Sequence, residues 1–323
     1  MKAITYREYG SPDVLRLEEI EKPVPASDQV LIRVHAASVN AMDCHFMRGD
    51  PWLMRLVAGL REPKVTRLGV DVAGTVEAIG QDVTDLHPGD EVFGVCRGAF
   101  AEYVCTPVSK VVVKSPSVSF EQAAALPVAC VTALIGIRDK GNIQPGQKVL
   151  VNGAGGGVGT FAVQIAKLFG AEVTAVTTTK KLDLVRKIGA DHVIDFTRED
   201  FTRNGKKYDA IFDLGSNHPW SDMRRSLTRS GTRLFVGGVK EGGFTRPFVE
   251  LFKGVLQSPF ISQRVQLVSG RVTRDDLIFM DKLVADSKVI PAIDSTYALR
   301  DVADAVRHLE SGSAGGKVVI TVR

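Results

Sequence analysis

At 323 residues the chain is long for one hydrophobic core and about right for two domains, taking roughly 100–200 residues for each. Hydrophobic residues make up 44% and charged residues 24%, which excludes a disordered or low-complexity chain. The formal net charge of +4 is small and dispersed, with no basic stripe interleaved with aromatics. It argues against nucleic acid as a partner and suits an anionic cofactor or substrate, or simply a solvated surface.

Met1–Glu8 runs straight into alternating, strand-like sequence without an apolar leader. No window holds the roughly 18 uninterrupted apolar residues of a membrane span. Cys44, Cys96, Cys105 and Cys130 form no CxxC pair. A cytoplasmic globular enzyme or binding protein is expected.

The first 120 or so residues read as short strands punctuated by glycine and proline: Gln29–Ala37, Val72–Ile79, Asp90–Val95 and Lys110–Val113. Between them, Arg48–Lys64 is an apolar segment, read as a short helix, a flap over a substrate cleft, or core packing. After Pro127 the rhythm changes. Strand Lys148–Asn152 is followed by helix Thr160–Phe169, strand Glu172–Val176, helix Lys181–Ile188 and strand His192–Ile194. Strands Ala210–Asp213 and Arg233–Val236 come next. Strands alternating with helices predict a doubly wound parallel sheet. The tail from Thr296 reads as a strand, helix Arg300–Leu309 and a last strand, Lys317–Val322. The fold class is α/β.

Val149–Gly159 (VLVNGAGGGVG) lies between a strand and a helix. In the G-x-G-x-x-G register Ala154 takes the first position, followed by Gly156 and Gly159. Ala154, Gly155, Gly156, Gly157, Val158 and Gly159 are the expected dinucleotide loop, since glycines let backbone N–H groups approach a pyrophosphate at a helix N-terminus. A site for NADH would place a carboxylate roughly 20 residues on, to hold the ribose 2′-hydroxyl. Here Thr177, Thr178, Thr179, Lys180 and Lys181 stand instead, and no carboxylate comes before Asp183. Hydroxyls and a lysine suit the 2′-phosphate of NADPH, with Lys181 the favoured partner and Lys180 next.

The chain resembles the zinc-independent quinone oxidoreductase branch of the medium-chain dehydrogenase/reductase superfamily over essentially its whole length. The motifs that carry the resemblance stand in the family's order. They are Ser38-Val39-Asn40-Ala41-Met42-Asp43, Gly69-Val70-Asp71-Val72-Ala73-Gly74, Gly89-Asp90-Glu91-Val92-Phe93-Gly94 and Gly98-Ala99-Phe100-Ala101-Glu102-Tyr103. Leu126-Pro127, Thr132-Ala133, the glycine loop, Gly189-Ala190-Asp191 and Gly316-Lys317-Val318-Val319 follow. The resemblance implies a GroES-like, β-rich catalytic domain (1–121 and 266–323), a Rossmann domain (122–265), a cleft between them and a homodimer. Thr132, Leu214-Gly215, Gly237-Gly238-Val239 and Phe196 fall on family positions near the cofactor.

In zinc-bearing relatives, Asn40, Val70 and Val128 are replaced by the catalytic ligands, and only Val95–Ala99 remain of their cysteine-rich lobe. A catalytic zinc takes three protein ligands. Cys44, His45 and Cys130 as a substitute set match no zinc spacing, so no metal is expected. Without a Lewis acid the acceptor is expected to be a quinone or an α,β-unsaturated carbonyl, whose reduction leaves a delocalised anion that hydrogen bonds can hold. Asn40 is the expected residue beside nicotinamide and acceptor oxygen; its alternative is to satisfy its own loop. His45 falls where many members carry a substrate-contacting tyrosine, and a histidine there can donate a hydrogen bond or proton. Trp52 is expected to line the acceptor pocket. An enoyl-thioester reductase, or a low-turnover NADPH-binding sensor or partner-binding protein, are the alternative functions.

Overall fold

Strands whose alternate side chains are apolar bury one face only when another layer covers it, and the first part of the chain is built on that rule. The computed structural model describes residues 1–236 and 262–322. The chain divides into two units, Met1–Val131 with Val272–Arg323, and Thr132–Arg271.

The first unit opens with β1 (Lys2–Thr5) antiparallel to β2 (Arg16–Glu19). Then come β3 (Gln29–Val39), β4 (Asp71–Ile79), β5 (Glu91–Val95), β6 (Tyr103–Pro107) and β7 (Val111–Val113). The long β3 is the centre, pairing antiparallel with β4 on one side and with β6 along its first half. Between β3 and β4 lies α1 (Ala41–Arg48), closed by Gly49 at φ 58, a left-handed position that glycine takes without strain. The apolar segment after it is a 3₁₀ turn, Trp52–Met54, and one helical turn, α2 (Arg55–Ala58). The Arg55 guanidinium stacks 4.5 Å over the Tyr9 ring and its Nε donates to the Gly49 carbonyl at 3.0 Å. The Tyr9 hydroxyl donates to the Gly59 carbonyl at 2.6 Å. Of the readings open for this segment, core packing does not apply to Trp52, Leu56 and Leu60, which are 60%, 57% and 56% exposed.

Helices α3 (Phe120–Ala124) and α4 (Pro127–Leu134) lead on, and a π-helical stretch, Ile135–Lys140, continues α4. The second unit carries β8 (Lys148–Asn152), β9 (Glu172–Thr177), β10 (His192–Asp195), β11 (Tyr208–Asp213), β12 (Leu227–Phe235) and β13 (Arg264–Leu267). They form one sheet in the order β10-β9-β8-β11-β12-β13, every neighbouring pair parallel. Parallel strands need crossovers, and these include α5 (Gly157–Leu168), α6 (Leu182–Lys187) and α7 (Trp220–Ser226). On one face Leu150, Val176, Ile194 and Ile211 pack with Trp220 and Met223 of α7.

The tail returns to the first unit as α8 (Arg274–Ala285), β14 (Ile293–Ala298), α9 (Val302–Glu310) and β15 (Lys317–Thr321). β15 pairs antiparallel with β3 and parallel with β14, so the last residues complete a sheet begun near the start. Its core joins Val30, Ile32 and Val34 of β3 to Val72, Val76, Val302, Val306, Val318 and Ile320. The sheet orders are those of a Rossmann unit and a GroES-like β-rich unit, the architecture expected from the strand pattern and the family motifs.

Gly136 shows how closely the second unit is packed. A Cβ there would stand 2.1 Å from Cε2 of the fully buried Phe212. Gly136→Ala gains up to about 1 kcal/mol of helix propensity, but forcing the ring aside costs about 1–3 kcal/mol. A lower urea midpoint with unchanged slope is expected; an unchanged midpoint contradicts it.

Candidate functional site

The glycine loop follows directly from the end of β8. Gly153, at φ 94, turns the chain out of the strand, and the Gly153 and Ala154 N–H groups donate to the Val176 carbonyl of β9 at 3.1 and 3.0 Å. Gly156 is the N-cap of α5, and Gly157, Val158 and Gly159 form its first turn. A Cβ on Gly159 would lie 2.2 Å from the Gly153 oxygen, so the helix starts this close to the strand only with glycine there. Gly153 is the turn residue that a register beginning at Ala154 misses; its signal is the Asn152-Gly153 pair at the strand end.

At Gly155 an added Cβ would stand 2.5 Å from Thr177 Oγ1 and 2.8 Å from Lys181 Cδ. The fold thus brings the Thr177 hydroxyl and the stem of Lys181 onto the loop. Thr178 and Thr179 differ from this. The Thr178 carbonyl accepts from the Lys181 N–H in a 3₁₀ turn, and Thr179 Oγ1 turns to Thr197 and to the Asp195 carboxylate. Asp195 ends β10 in register with Thr177, so a carboxylate reaches this neighbourhood from the adjacent strand rather than from the end of β9. Phe196, half-exposed, donates its N–H to the Thr177 carbonyl at 3.0 Å.

Beyond β11, the Leu214 N–H donates to the Asn152 carbonyl at 3.0 Å, and Gly215 lies so close that a Cβ would be 2.7 Å from Asn152 Nδ2. Leu214-Gly215 and the glycine loop are therefore neighbours. Thr132 is half-buried on α4. Gly237, Gly238 and Val239 lie outside the described residues.

In the first unit the fold gathers a buried polar cluster around Asp71, which is fully buried at the start of β4. Its Oδ2 accepts from Ser38 Oγ at 2.7 Å, Asn40 Nδ2 at 2.9 Å and Lys317 Nζ at 3.4 Å. Its Oδ1 accepts from the Val128 N–H at 3.0 Å. Lys317, only 3% exposed, also donates to Asn40 Oδ1 at 2.6 Å. A carboxylate only accepts and an ammonium only donates, so these two partners fix which way the Asn40 amide points. Its second amide hydrogen goes to the Ser38 carbonyl at 3.3 Å.

Asn40, expected beside nicotinamide and acceptor oxygen, is thus held by Asp71, Lys317 and the Ser38 carbonyl. Both of its amide hydrogens have partners inside the cluster, one in the loop backbone and one on Asp71. Asp71, Lys317 and Ser38 each lie in a family motif, but nothing in those motifs marks them as partners. Their partners are distant in sequence, so no local spacing exposes the cluster.

His45, on α1, holds its Nδ1 2.8 Å from the Asp50 carbonyl. A carbonyl only accepts, so Nδ1 carries the proton, and a neutral ring then has none on Nε2. His45 donates from Nε2 only as imidazolium. Trp52 is largely exposed on its 3₁₀ turn. The described residues hold no group of three or more His, Cys, Asp or Glu side chains placed to bind a metal ion.

Asp43, the third residue of α1, accepts from the Asn40 N–H at 2.8 Å and the Gly69 N–H at 2.9 Å. Burial pushes its carboxyl up to about 7, against the two N–H groups; Asp71 raises it further and Lys317 lowers it. The folded protein thus keeps a proton that the unfolded chain releases near ~4. Stability from this group is complete below that pH and is lost as pH rises toward about 7. In urea titrations Asp43→Asn lacks this dependence, so its gap from wild type is expected to change across this window. A pH-independent gap refutes the assignment.

The chain matches the model of the alcohol dehydrogenase GroES-like domain over residues 26–117 and that described as zinc-binding dehydrogenase over 188–320. It is 35% identical to 2-methylene-furan-3-one reductase of Solanum lycopersicum, over 99% of this chain and 79% of that protein. It is 34% identical to the chloroplastic NADPH-dependent alkenal/one oxidoreductase of Arabidopsis thaliana, with the same coverage of 99% and 79%. Among solved structures, the quinone oxidoreductase from Coxiella burnetii superposes with a TM-score of 0.89 at 29% identity, covering 100% of this chain and 99% of its own. The two family models together with these relatives show that the chain belongs to the zinc-independent quinone oxidoreductase branch of the medium-chain dehydrogenase/reductase superfamily.

Proposed function

We propose that this protein is a zinc-independent, NADPH-dependent oxidoreductase that delivers a hydride to a quinone or to the β-carbon of an α,β-unsaturated carbonyl. The observation that carries the reading is the close approach at Gly155, a buried glycine with Thr177 Oγ1 and the Lys181 stem packed against it, just before a 12-residue helix. A dinucleotide fits this arrangement. The first N–H groups of α5 lack partners within the helix and stand at its positive end, which suits a pyrophosphate. Lys181 and Thr177 supply a cation and a hydroxyl for a 2′-phosphate. When bound, NADPH supplies the hydride, and the protein's task is orientation and exclusion of water.

In the first unit, His45 as imidazolium is the candidate to protonate the reduced acceptor, and the exposed indole of Trp52 is the candidate wall for an apolar ring. Asn40 acts through Asp71 and Lys317, holding the end of β3 and the start of α1 in place. Its role is therefore positioning. Four free cysteines suit a reducing compartment such as the cytoplasm, and no helix among the described residues is long and apolar enough to cross a membrane. We assign the homodimer implied by the family to the β13 edge, one of the two ends of the parallel sheet; light scattering at twice the chain mass is expected.

NADPH oxidation, followed by absorbance with a chelator present, is expected with quinones and 2-alkenals and to be slow with simple ketones. Turnover confined to enoyl thioesters would replace this substrate class, and no turnover with any acceptor would overturn the reading. Lys181→Glu is expected to weaken NADPH binding roughly tenfold or more while NADH binding changes little, because a charge-assisted hydrogen bond becomes a repulsion. Equal losses for both nucleotides would exclude Lys181 as the phosphate partner.

A further inference from the structure

We infer that Asp213 is a positioning residue for the cofactor, setting the shape of the turn at residues 214–217 from inside the sheet. The inference rests on the NADPH reading above. The strand order of the parallel sheet reverses between β8 and β11, and in such sheets ligands bind beyond the carboxyl ends of the strands that flank the reversal. Asn152 is the last residue of β8 and Asp213 the last of β11.

Asp213 is completely buried and its two oxygens are divided between two tasks. Oδ2 accepts from Arg233 of β12, from Nε at 2.9 Å and Nη2 at 2.5 Å. Oδ1 accepts from Asn152 Nδ2 at 2.8 Å and from the Ser216 N–H at 3.0 Å. Asn152 Nδ2 also donates to Asn217 Oδ1 at 2.9 Å. One carboxylate therefore links β8, β11, β12 and the turn that follows β11.

The turn needs that link. Ser216 sits at φ 45, in the left-handed region that a residue with a Cβ avoids. Such a conformation persists only where the surroundings over-determine it. The Asp213 bond to the Ser216 N–H does so, and it keeps Gly215 pressed against the Asn152 amide.

Stability alone does not account for the buried pair. Replacing a buried ion pair by apolar side chains of similar volume is often neutral or stabilising. Here the pair also leaves Arg233 Nη1 buried without a partner among the described residues. What an apolar pair cannot supply is an acceptor for Asn152 and the Ser216 N–H. That is the function we assign to Asp213, with Arg233 neutralising it.

Two variants test this. Asp213→Asn alters the carboxylate directly. Ser216→Pro leaves the buried pair in place but removes the N–H and excludes a φ of +45. Steady-state kinetics and NADPH titration by fluorescence are run where circular dichroism shows each variant folded. In both, KM and Kd for NADPH are expected to rise about tenfold, more than kcat falls. Adding Ser216→Gly to Asp213→Asn is expected to recover part of the NADPH affinity, since glycine enters the left-handed region unaided. A merely structural Asp213 would lower the melting temperature and leave KM for NADPH unchanged in the folded protein. Unchanged KM in Ser216→Pro, or no recovery with Ser216→Gly, overturns the inference. Should Asp213→Asn fail to fold, Ser216→Pro decides alone. Failure of wild type to bind NADPH would instead overturn the proposed function.

Discussion

A single buried carboxylate holds the first unit together where its chemistry is expected. Asp71 gathers donors from β3, from the N-cap of α1, from β15 and from the first turn of α4. Taking a carboxylate out of water is costly unless it is paired and hydrogen-bonded, and here Lys317 supplies the opposite charge while the remaining donors fill its lone pairs. The arrangement exists only because the chain's last strand returns to pair with β3, which places Lys317 beside residues near position 40. Segments separated by almost the whole sequence are thereby fixed to one another at the point where α1 begins.

The second unit repeats the device at the ends of its central strands. Asp213 is as deeply buried, is paired with Arg233, and divides its oxygens between a neighbouring strand and a turn. Beside it the glycine loop is shaped by steric closeness rather than charge. Gly153 turns, Gly155 leaves room for Thr177 and Lys181, and Gly159 lets α5 start against the strand end. Polar hubs and missing side chains thus serve one purpose, to hold the backbone groups that suit a dinucleotide without waiting for the ligand to order them.

The cluster at the end of β3 has a chemical consequence. Position 40 carries an amide locked between a carboxylate and an ammonium. Such a cluster orders its surroundings but polarises no carbonyl, which fits acceptors that delocalise the charge they gain.

Much of this was legible in the sequence, and the limits fall along a physical line. Alternation and helical spacing are local, so the strands at 148–152 and 172–176 and the Rossmann pattern were readable. So were the glycine loop and the lysine at 181, since a loop between strand and helix is defined by adjacent residues. Short helices such as α3 and the edge strand β13 carried too little periodicity to be seen. The Arg48–Lys64 segment stayed ambiguous because its anchor, Tyr9, lies far away in sequence. Asn40 shows the division most clearly. The sequence determined that an amide stands at position 40, within the motif Ser38-Val39-Asn40-Ala41-Met42-Asp43. Only the tertiary structure decided that this amide faces inward, because Asp71 and Lys317 reach it through strand pairing, and pairing between distant segments leaves no trace in local spacing.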